Sequence, residues 1–175
     1  MFKIITAVFI VIIVAFLVYV AAKPDAFRIE REELVKAPPQ AIFGLMNDLH
    51  LFNSWNPFAL MDPSLKIVYS GPASGVGATY EWEGTGKAGK GRMEIAQSVS
   101  PSTVILHLEF QKPFAAKNIV TFTLVPAGPA TKVTWAMTGQ NTYLQKVMGT
   151  LFNMDRMVGG EFAKGLANLK ALAER

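Results

Sequence analysis

Hydrophobic and polar positions divide this chain into three regimes. Ile4 to Ala22 is a run of nineteen residues without a charge, bracketed by Lys3 and Lys23, with Thr6 and Tyr19 as its hydroxyl-bearing members. Coiled as a helix, the run spans roughly 28 Å, close to the ~30 Å hydrocarbon core of a bilayer. Hydrocarbon offers a backbone no hydrogen bonds, so a helix is the form expected there. From Phe27 to Thr138 the pattern is mostly of period two, and from Tyr143 to Ala173 apolar residues recur every three or four positions.

The middle regime predicts strands at Phe27–Val35, Leu65–Tyr69, Ala78–Glu83, Arg92–Val99, Thr103–Phe110, Ala116–Val125 and Lys132–Thr138. Short turns rich in Gly, Pro and Ser join most of them, the signature of an antiparallel meander. Between the first two strands, Pro38-Pro39 stops the strand and Pro39 suits a first helical turn. Ala41, Ile42, Leu45, Met46 and Leu49 follow at helical spacing, and Leu51–Phe58 reads as a second short helix closed by Pro57. In the last regime Leu144, Met148, Leu151, Val158, Phe162, Leu169 and Leu172 form one apolar stripe on a single long helix. Gly159-Gly160 is expected to kink that helix or bring it close to a sheet. The order of elements is α+β: two short helices after the first strand, a curved antiparallel sheet, and a long C-terminal helix lying on it. A sheet curled around one helix leaves a wedge where the two diverge, and an apolar wedge is a small-molecule site.

Residues 1–23 are expected to form a transmembrane anchor, 24–26 a linker, and 27–175 one domain of ordinary size. Two readings of the anchor compete. A permanent signal-anchor fits the length of the run, whereas Val20-Ala21-Ala22 resembles the small-residue cleavage site of a secretory signal. The flanking charges argue both ways about sidedness. Lys23, Arg28, Arg31 and Lys36 favour a cytoplasmic domain, and the short N-terminus with Lys3 and the α-amine resists translocation. The expectation is a single-pass protein of a membrane, of the bacterial inner-membrane kind.

Composition changes this picture by exclusion. Of 17 Lys+Arg only Lys3 precedes residue 23, so the domain carries 16 against 13 Asp+Glu. So small and scattered an excess does not predict nucleic-acid binding. The chain has no cysteine, hence no disulfide, thiolate nucleophile or Cys-based zinc site, and its two histidines, His50 and His107, lie far apart. Neither a metal nor a cofactor is expected. Gly84–Gly91 nearly matches a phosphate-binding loop, but Gly91 stands where a magnesium-ligating Ser or Thr belongs and a strand follows instead of a helix. Its plainer reading is a hairpin tip bearing Lys87, Lys90 and Arg92, cations that could touch lipid headgroups. No Gly-x-Ser-x-Gly elbow is present.

Two residues are catalytic candidates. Asp155 falls on the apolar stripe, seven residues after Met148 and seven before Phe162, where a carboxylate facing a cavity would be a base or would orient a polar group. Against this, Asp155 could simply pair with a nearby cation. His107 alternates with Ile105 and Glu109 and could form an acid–base pair with Glu109, although i and i+2 on a strand merely share a face. His50, at a helix end, is read as favouring the dipole there. Tyr80, Trp82, Trp135 and Met137 from the sheet, with Met148, Phe152 and Met154 from the helix, are candidates for a ligand wall, with plain core packing as the alternative. Methionine adapts to varied shapes, which suits such a wall. Trp55 is expected to anchor the short helices.

Several stretches carry a family likeness. They are Val35-Lys36-Ala37-Pro38-Pro39, Trp55-Asn56-Pro57, Tyr69-Ser70-Gly71-Pro72 with Gly75-Val76-Gly77, Gly91-Arg92-Met93-Glu94-Ile95, Pro113-Phe114, Thr121-Phe122-Thr123-Leu124, Thr131-Lys132-Val133-Thr134-Trp135 and Gly165-Leu166-Ala167-Asn168-Leu169-Lys170. In this order the chain resembles the SRPBCC or START-like superfamily, in its polyketide cyclase/dehydrase-like branch, over about residues 27–173. The resemblance implies a helix-grip fold of about seven strands and a hydrophobic cavity for lipids, polyketides or similar ligands. It transfers no activity. The expected function is membrane-tethered binding of a hydrophobic small molecule or lipid, with a cyclase or dehydratase and a protein-binding adaptor as alternatives.

Overall fold

The computed structural model describes residues 2–84 and 89–175. Helix α1 (Phe2–Ala21) is followed by strand β1 (Ala26–Val35) and three short helices, α2 (Pro39–Asn47), α3 (Leu49–Trp55) and α4 (Pro57–Leu60). Six strands follow: β2 (Lys66–Ser70), β3 (Thr79–Glu83), β4 (Lys90–Val99), β5 (Thr103–Lys112), β6 (Ala116–Ala127) and β7 (Ala130–Gln140). Helices α5 (Tyr143–Phe152) and α6 (Met154–Ala173) close the chain. The seven strands form one antiparallel sheet in the order β1-β7-β6-β5-β4-β3-β2. The fold is thus the α+β arrangement expected, with the strands within two or three residues of their sequence-derived bounds.

β1 and β2 occupy opposite edges, and α2 to α4 carry the chain between them. Local chemistry starts and stops these helices. Pro39 opens α2, the Asp48 carboxylate caps α3 by accepting from the amides of His50 and Leu51, and the Asn56 side chain accepts from the Phe58 amide to cap α4. The cap at Asp48 corrects the reading of His50. It lies in the first turn of α3, at a helix N-terminus and not at a C-terminus, where its ring stacks on Tyr69 at 3.7 Å between centroids with Nδ1 3.4 Å from Asp48 Oδ1.

The expected single helix over residues 143–173 is two. Asn153 has φ +47° and ψ +72°, the left-handed conformation that Asn tolerates better than most residues. Its backbone ends α5 and its side chain accepts from the Arg156 amide to begin α6. Helix α5 has its own start, a capping box in which Thr142 Oγ1 accepts from the Gln145 amide and Gln145 Oε1 accepts from the Thr142 amide. The break therefore falls six residues before the glycine pair.

Helix α6 alone is gripped by the sheet. Buried Phe162, Leu166 and Leu169 pack on a core that includes Val104, Leu106, Val120, Phe122, Val133 and Trp135. Trp135 stacks on Phe162 with centroids 4.3 Å apart and planes 9° apart, and Phe52, Trp55 and Phe122 pack edge-on or tilted around it. Trp55 also donates from Nε1 to the Leu45 carbonyl at 2.9 Å, fixing α3 to α2 as expected. Two glycines set the approach. A Cβ on Gly165 would stand 2.5 Å from the Trp135 ring and 2.8 Å from Pro57 Cδ, and one on Gly159 would collide with the Arg31 guanidinium.

These glycines make a paired prediction. Gly165→Ala should destabilise the chain by about 1–3 kcal/mol through overpacking. Gly160→Ala, whose Cβ meets nothing within 4 Å, should instead stabilise by up to about 1 kcal/mol through helix propensity. Thermal unfolding of the two full-length variants in detergent should move Tm in opposite directions.

Candidate functional site

A cavity of about 1380 Å³ lies between the sheet and the C-terminal helices. This exceeds the ~300–1,000 Å³ of most small-molecule pockets. Period two on the strands explains its wall: on β3 to β7, inward positions carry Tyr80, Trp82, Met93, Leu108, Val120 and Met137. Gly91 makes room for one of them. A Cβ there would meet Trp82 Cζ2 at 2.3 Å, so the indole lies flat across β4. Register irregularities in β4 at Lys90/Gly91 and Ile95/Gln97 accompany the bend of the sheet. The floor is the aromatic cluster, with Phe52, Trp135 and Phe162 all contributing to the lining.

Polar groups lie at and behind the floor, with Asn56 and Tyr80 reaching the lining. Asn53 donates to the Tyr69 hydroxyl at 3.0 Å and Asn56 donates to Asn53 Oδ1 at 3.3 Å. Burial pushes the Tyr80 phenol well above its usual range, the nearby Tyr69 phenol adds to this, and a hydrogen bond with the Asn56 side chain partly offsets it. Tyr80 is therefore a neutral hydroxyl at any physiological pH. Among the described residues, the buried Nε1 of Trp135 has no hydrogen-bond partner, and no three His, Asp or Glu side chains converge in a way that would hold a metal ion.

Of the residues expected at a ligand wall, Tyr80, Trp82, Trp135, Met137, Met148 and Met154 line this cavity. Phe152 does not: it is exposed and absent from the lining, because α5 ends there and its last turn projects away from the sheet.

Asp155 is also corrected. It keeps the phase of Phe162 and Leu169, but it stands in the first turn of α6, beyond the part held by the core, and its side chain is 62% exposed at the cavity's edge. Arg31, on β1, clasps it: Nη1 donates to Oδ1 at 3.1 Å, and Nη2 donates to Oδ2 and to the Asp155 carbonyl, both at 3.0 Å. The bare Gly159 leaves space for this guanidinium. The hydrogen bond from Arg31, aided by its charge, holds the carboxyl below the usual range despite some desolvation. A carboxylate so paired is a poor proton acceptor.

His107 is exposed on the outer face of β5, between Glu94 and Ile119 on the neighbouring strands, while Val104, Leu106 and Leu108 point inward. Glu109, its expected partner, pairs with Lys117 at 3.0 Å on the same outer face. That pair is therefore outside the cavity. Of the hairpin cations, Lys87 lies outside the described residues, whereas Lys90 pairs with Glu83 and Arg92 with Glu94.

Sequence reasoning missed Lys146. It is 91% buried, and its ammonium donates to the carbonyls of Ala21 (3.2 Å) and Lys23 (3.0 Å) and pairs with Asp25 at 2.8 Å. Lys23 in turn donates to Thr150 at 3.0 Å, and the Tyr143 hydroxyl donates to the Leu17 carbonyl at 3.0 Å. Helix α5 is thus bound to the C-terminal end of α1. A lysine inside an apolar helical pattern was the available signal, but its partners lie more than 120 residues away.

The fold recurs in solved structures of low sequence identity. Protein CV1439 from Chromobacterium violaceum is 16% identical, with a TM-score of 0.61 over 87% of this chain and 99% of its own. The ginseng major latex-like protein 151 from Panax ginseng is 10% identical, with a TM-score of 0.62 over 86% and 99%. The di-domain ARO/CYC StfQ from the steffimycin biosynthetic pathway is 10% identical, with a TM-score of 0.63 over 85% of this chain and 51% of that one. No curated protein matches the chain in sequence. The sequence profile of one family, described as polyketide cyclase/dehydrase and lipid transport, matches residues 26–174, from the first residue of β1 to just past the end of α6. The chain belongs to that family.

Proposed function

We propose that this protein is a membrane-tethered module that holds a lipid or other apolar small molecule in the cavity between the sheet and the C-terminal helices. The observation that carries the reading is the cavity itself: large, walled by apolar and aromatic side chains, and lacking a convergent acid–base pair among the described residues. Each 100 Å² of apolar guest surface buried there would contribute roughly 2.5 kcal/mol before ordering costs. The family's description, which includes lipid transport, agrees.

The tether rests on α1, whose segment Lys3–Ala21 is long and apolar enough to cross a bilayer and is almost wholly unburied by the rest of the chain. Its retention is supported by Lys146, whose ammonium uses the Ala21 and Lys23 carbonyls on either side of Ala22. Cleavage after Ala22 would remove the first of these acceptors from a buried charge, a costly change. Residues 24–26 then act as the joint and 27–175 as the binding domain. The partners of this reading are the membrane, through residues 4–22, and the apolar guest; it requires neither nucleic acid nor cofactor.

A cyclase or dehydratase is the second reading, favoured by the likeness to the ARO/CYC StfQ fold and by the buried Tyr80 hydroxyl. In it Tyr80 and Asn56 would orient a polar group of the substrate, since Asp155 is engaged by Arg31 and His107 faces outward.

Native mass spectrometry of the full-length chain ejected from detergent micelles should show a retained lipid-sized adduct. Met137→Arg, which puts a charge on the wall, should abolish at least nine-tenths of it, and an unliganded wild type would refute the reading. Asp155→Asn separates the two functions further. A carboxylate with a depressed pKa contributes stability above its unfolded value of about 3.8 and loses it as pH falls through the folded value. The variant should therefore melt below wild type at pH 7, approach it as pH falls below about 3.8, and retain the adduct throughout. Loss of a turnover with the adduct intact would favour the enzyme.

A further inference from the structure

Some of the apolar residues left uncovered by the fold line the cavity. Met61 after α4, Phe114 in the β5–β6 turn and Leu144 on α5 come from three separate elements, line the cavity, and are 55%, 58% and 56% exposed. Lys23 and Pro24, the first residues beyond the apolar segment, line the same cavity. The rim of the mouth therefore includes the end of α1.

Helix α5 tells at what depth. Its polar side chains are used locally: Gln145 closes the capping box, and Lys146 and Thr150 bind the α1–β1 joint. Its other faces carry Leu144, Met148, Leu151 and Phe152, all exposed. The Tyr143 hydroxyl bonds to the carbonyl of Leu17, four residues before the end of α1. At 1.5 Å per residue that carbonyl is about 6 Å inside the apolar segment. Tyrosine at that depth, followed by an apolar helix whose polar side is already occupied, is the chemistry of a bilayer interface.

We propose that α5 and the rim residues Met61, Phe114 and Leu144 dock into the interfacial layer of the same bilayer that α1 spans, so that the cavity opens onto the leaflet and its guest passes between leaflet and cavity without crossing water. The inference rests on the tethered reading of α1 and goes beyond it, since a tether alone leaves the domain free to hang in solvent with any orientation. The ties from Lys146, Lys23 and Tyr143 to α1 remove that freedom. The occupant of the apolar patch is thus the lipid in which α1 is already immersed, because the patch is continuous with the end of the span.

The chain has no cysteine, so an introduced one is unique. Nitroxide labels at Leu151→Cys, Phe114→Cys, Val11→Cys and Val68→Cys, in the full-length chain reconstituted into phosphatidylcholine–phosphatidylglycerol bilayers, report depth by relaxation from dissolved oxygen against a water-soluble nickel complex. All four sites are exposed in the fold, so the labels leave packing intact; Val68, on the edge strand β2, is the water reference. The expected result is a ratio of oxygen to nickel effects highest at Val11 and raised several-fold over Val68 at both Leu151 and Phe114. A high ratio at Val11 with Leu151 and Phe114 equal to Val68 would overturn the docking and leave the tether standing. A ratio at Val11 equal to that at Val68 would overturn the tether and the docking together. Dipolar broadening between Leu151 labels, with no rise in oxygen effect, would overturn it in favour of a second copy of the chain covering the patch.

Discussion

The stacking of Trp135 on Phe162, made possible by the bare Gly165, decides where helix and sheet touch. Around that contact Phe52, Trp55 and Phe122 close one end of the domain as a solid aromatic plug. Beyond it the sheet continues for several residues with its inner face still apolar, but α6 offers only Val158, Asp155 and Met154 before Asn153 turns the chain out of the helix. The volume left over is the cavity. It exists because the grip is strong at one end and abandoned at the other.

The direction taken by α5 follows from charge as much as from shape. A buried lysine needs partners, and the carbonyls at the end of α1 with Asp25 supply them to Lys146. Helix α5 therefore packs chiefly on α1 and stands away from the sheet. The same contact that leaves the cavity unfilled sets its mouth beside the apolar N-terminal helix.

Much of this was legible in the chain. Period two located all seven strands, the uncharged run located α1, and prolines bounded the short helices. Tyr80, Trp82, Trp135 and Met137 were readable as one wall because alternation assigns a face as soon as a strand is recognised. What was not legible is non-local. Nothing near β1 announces that it pairs with β7, at a separation of about a hundred residues. Asp155 does share the face of Phe162 and Leu169, but counting residues 143–173 as one helix hides that it stands in a first turn beyond the core. Three- and four-residue spacings survive the break in phase, and a single Asn in the left-handed region leaves no mark on that count. The same continuity placed Phe152 on the wall. His107 failed for another reason: alternation gives two faces without saying which is inward, and the outward face of β5 also carries an isoleucine.

The account stands on an apolar guest occupying the space in front of the Trp135–Phe162 plug, and tryptophan fluorescence reads that space most directly. Two full-length variants would each keep one tryptophan, Trp82 on the wall or Trp55 sealed behind the floor, with phenylalanine replacing the others. Reconstituted with a phospholipid brominated along its acyl chain, the Trp82 variant should be strongly quenched and the Trp55 variant left nearly at full intensity. Equal emission from both, with no quenching at Trp82, would contradict the account.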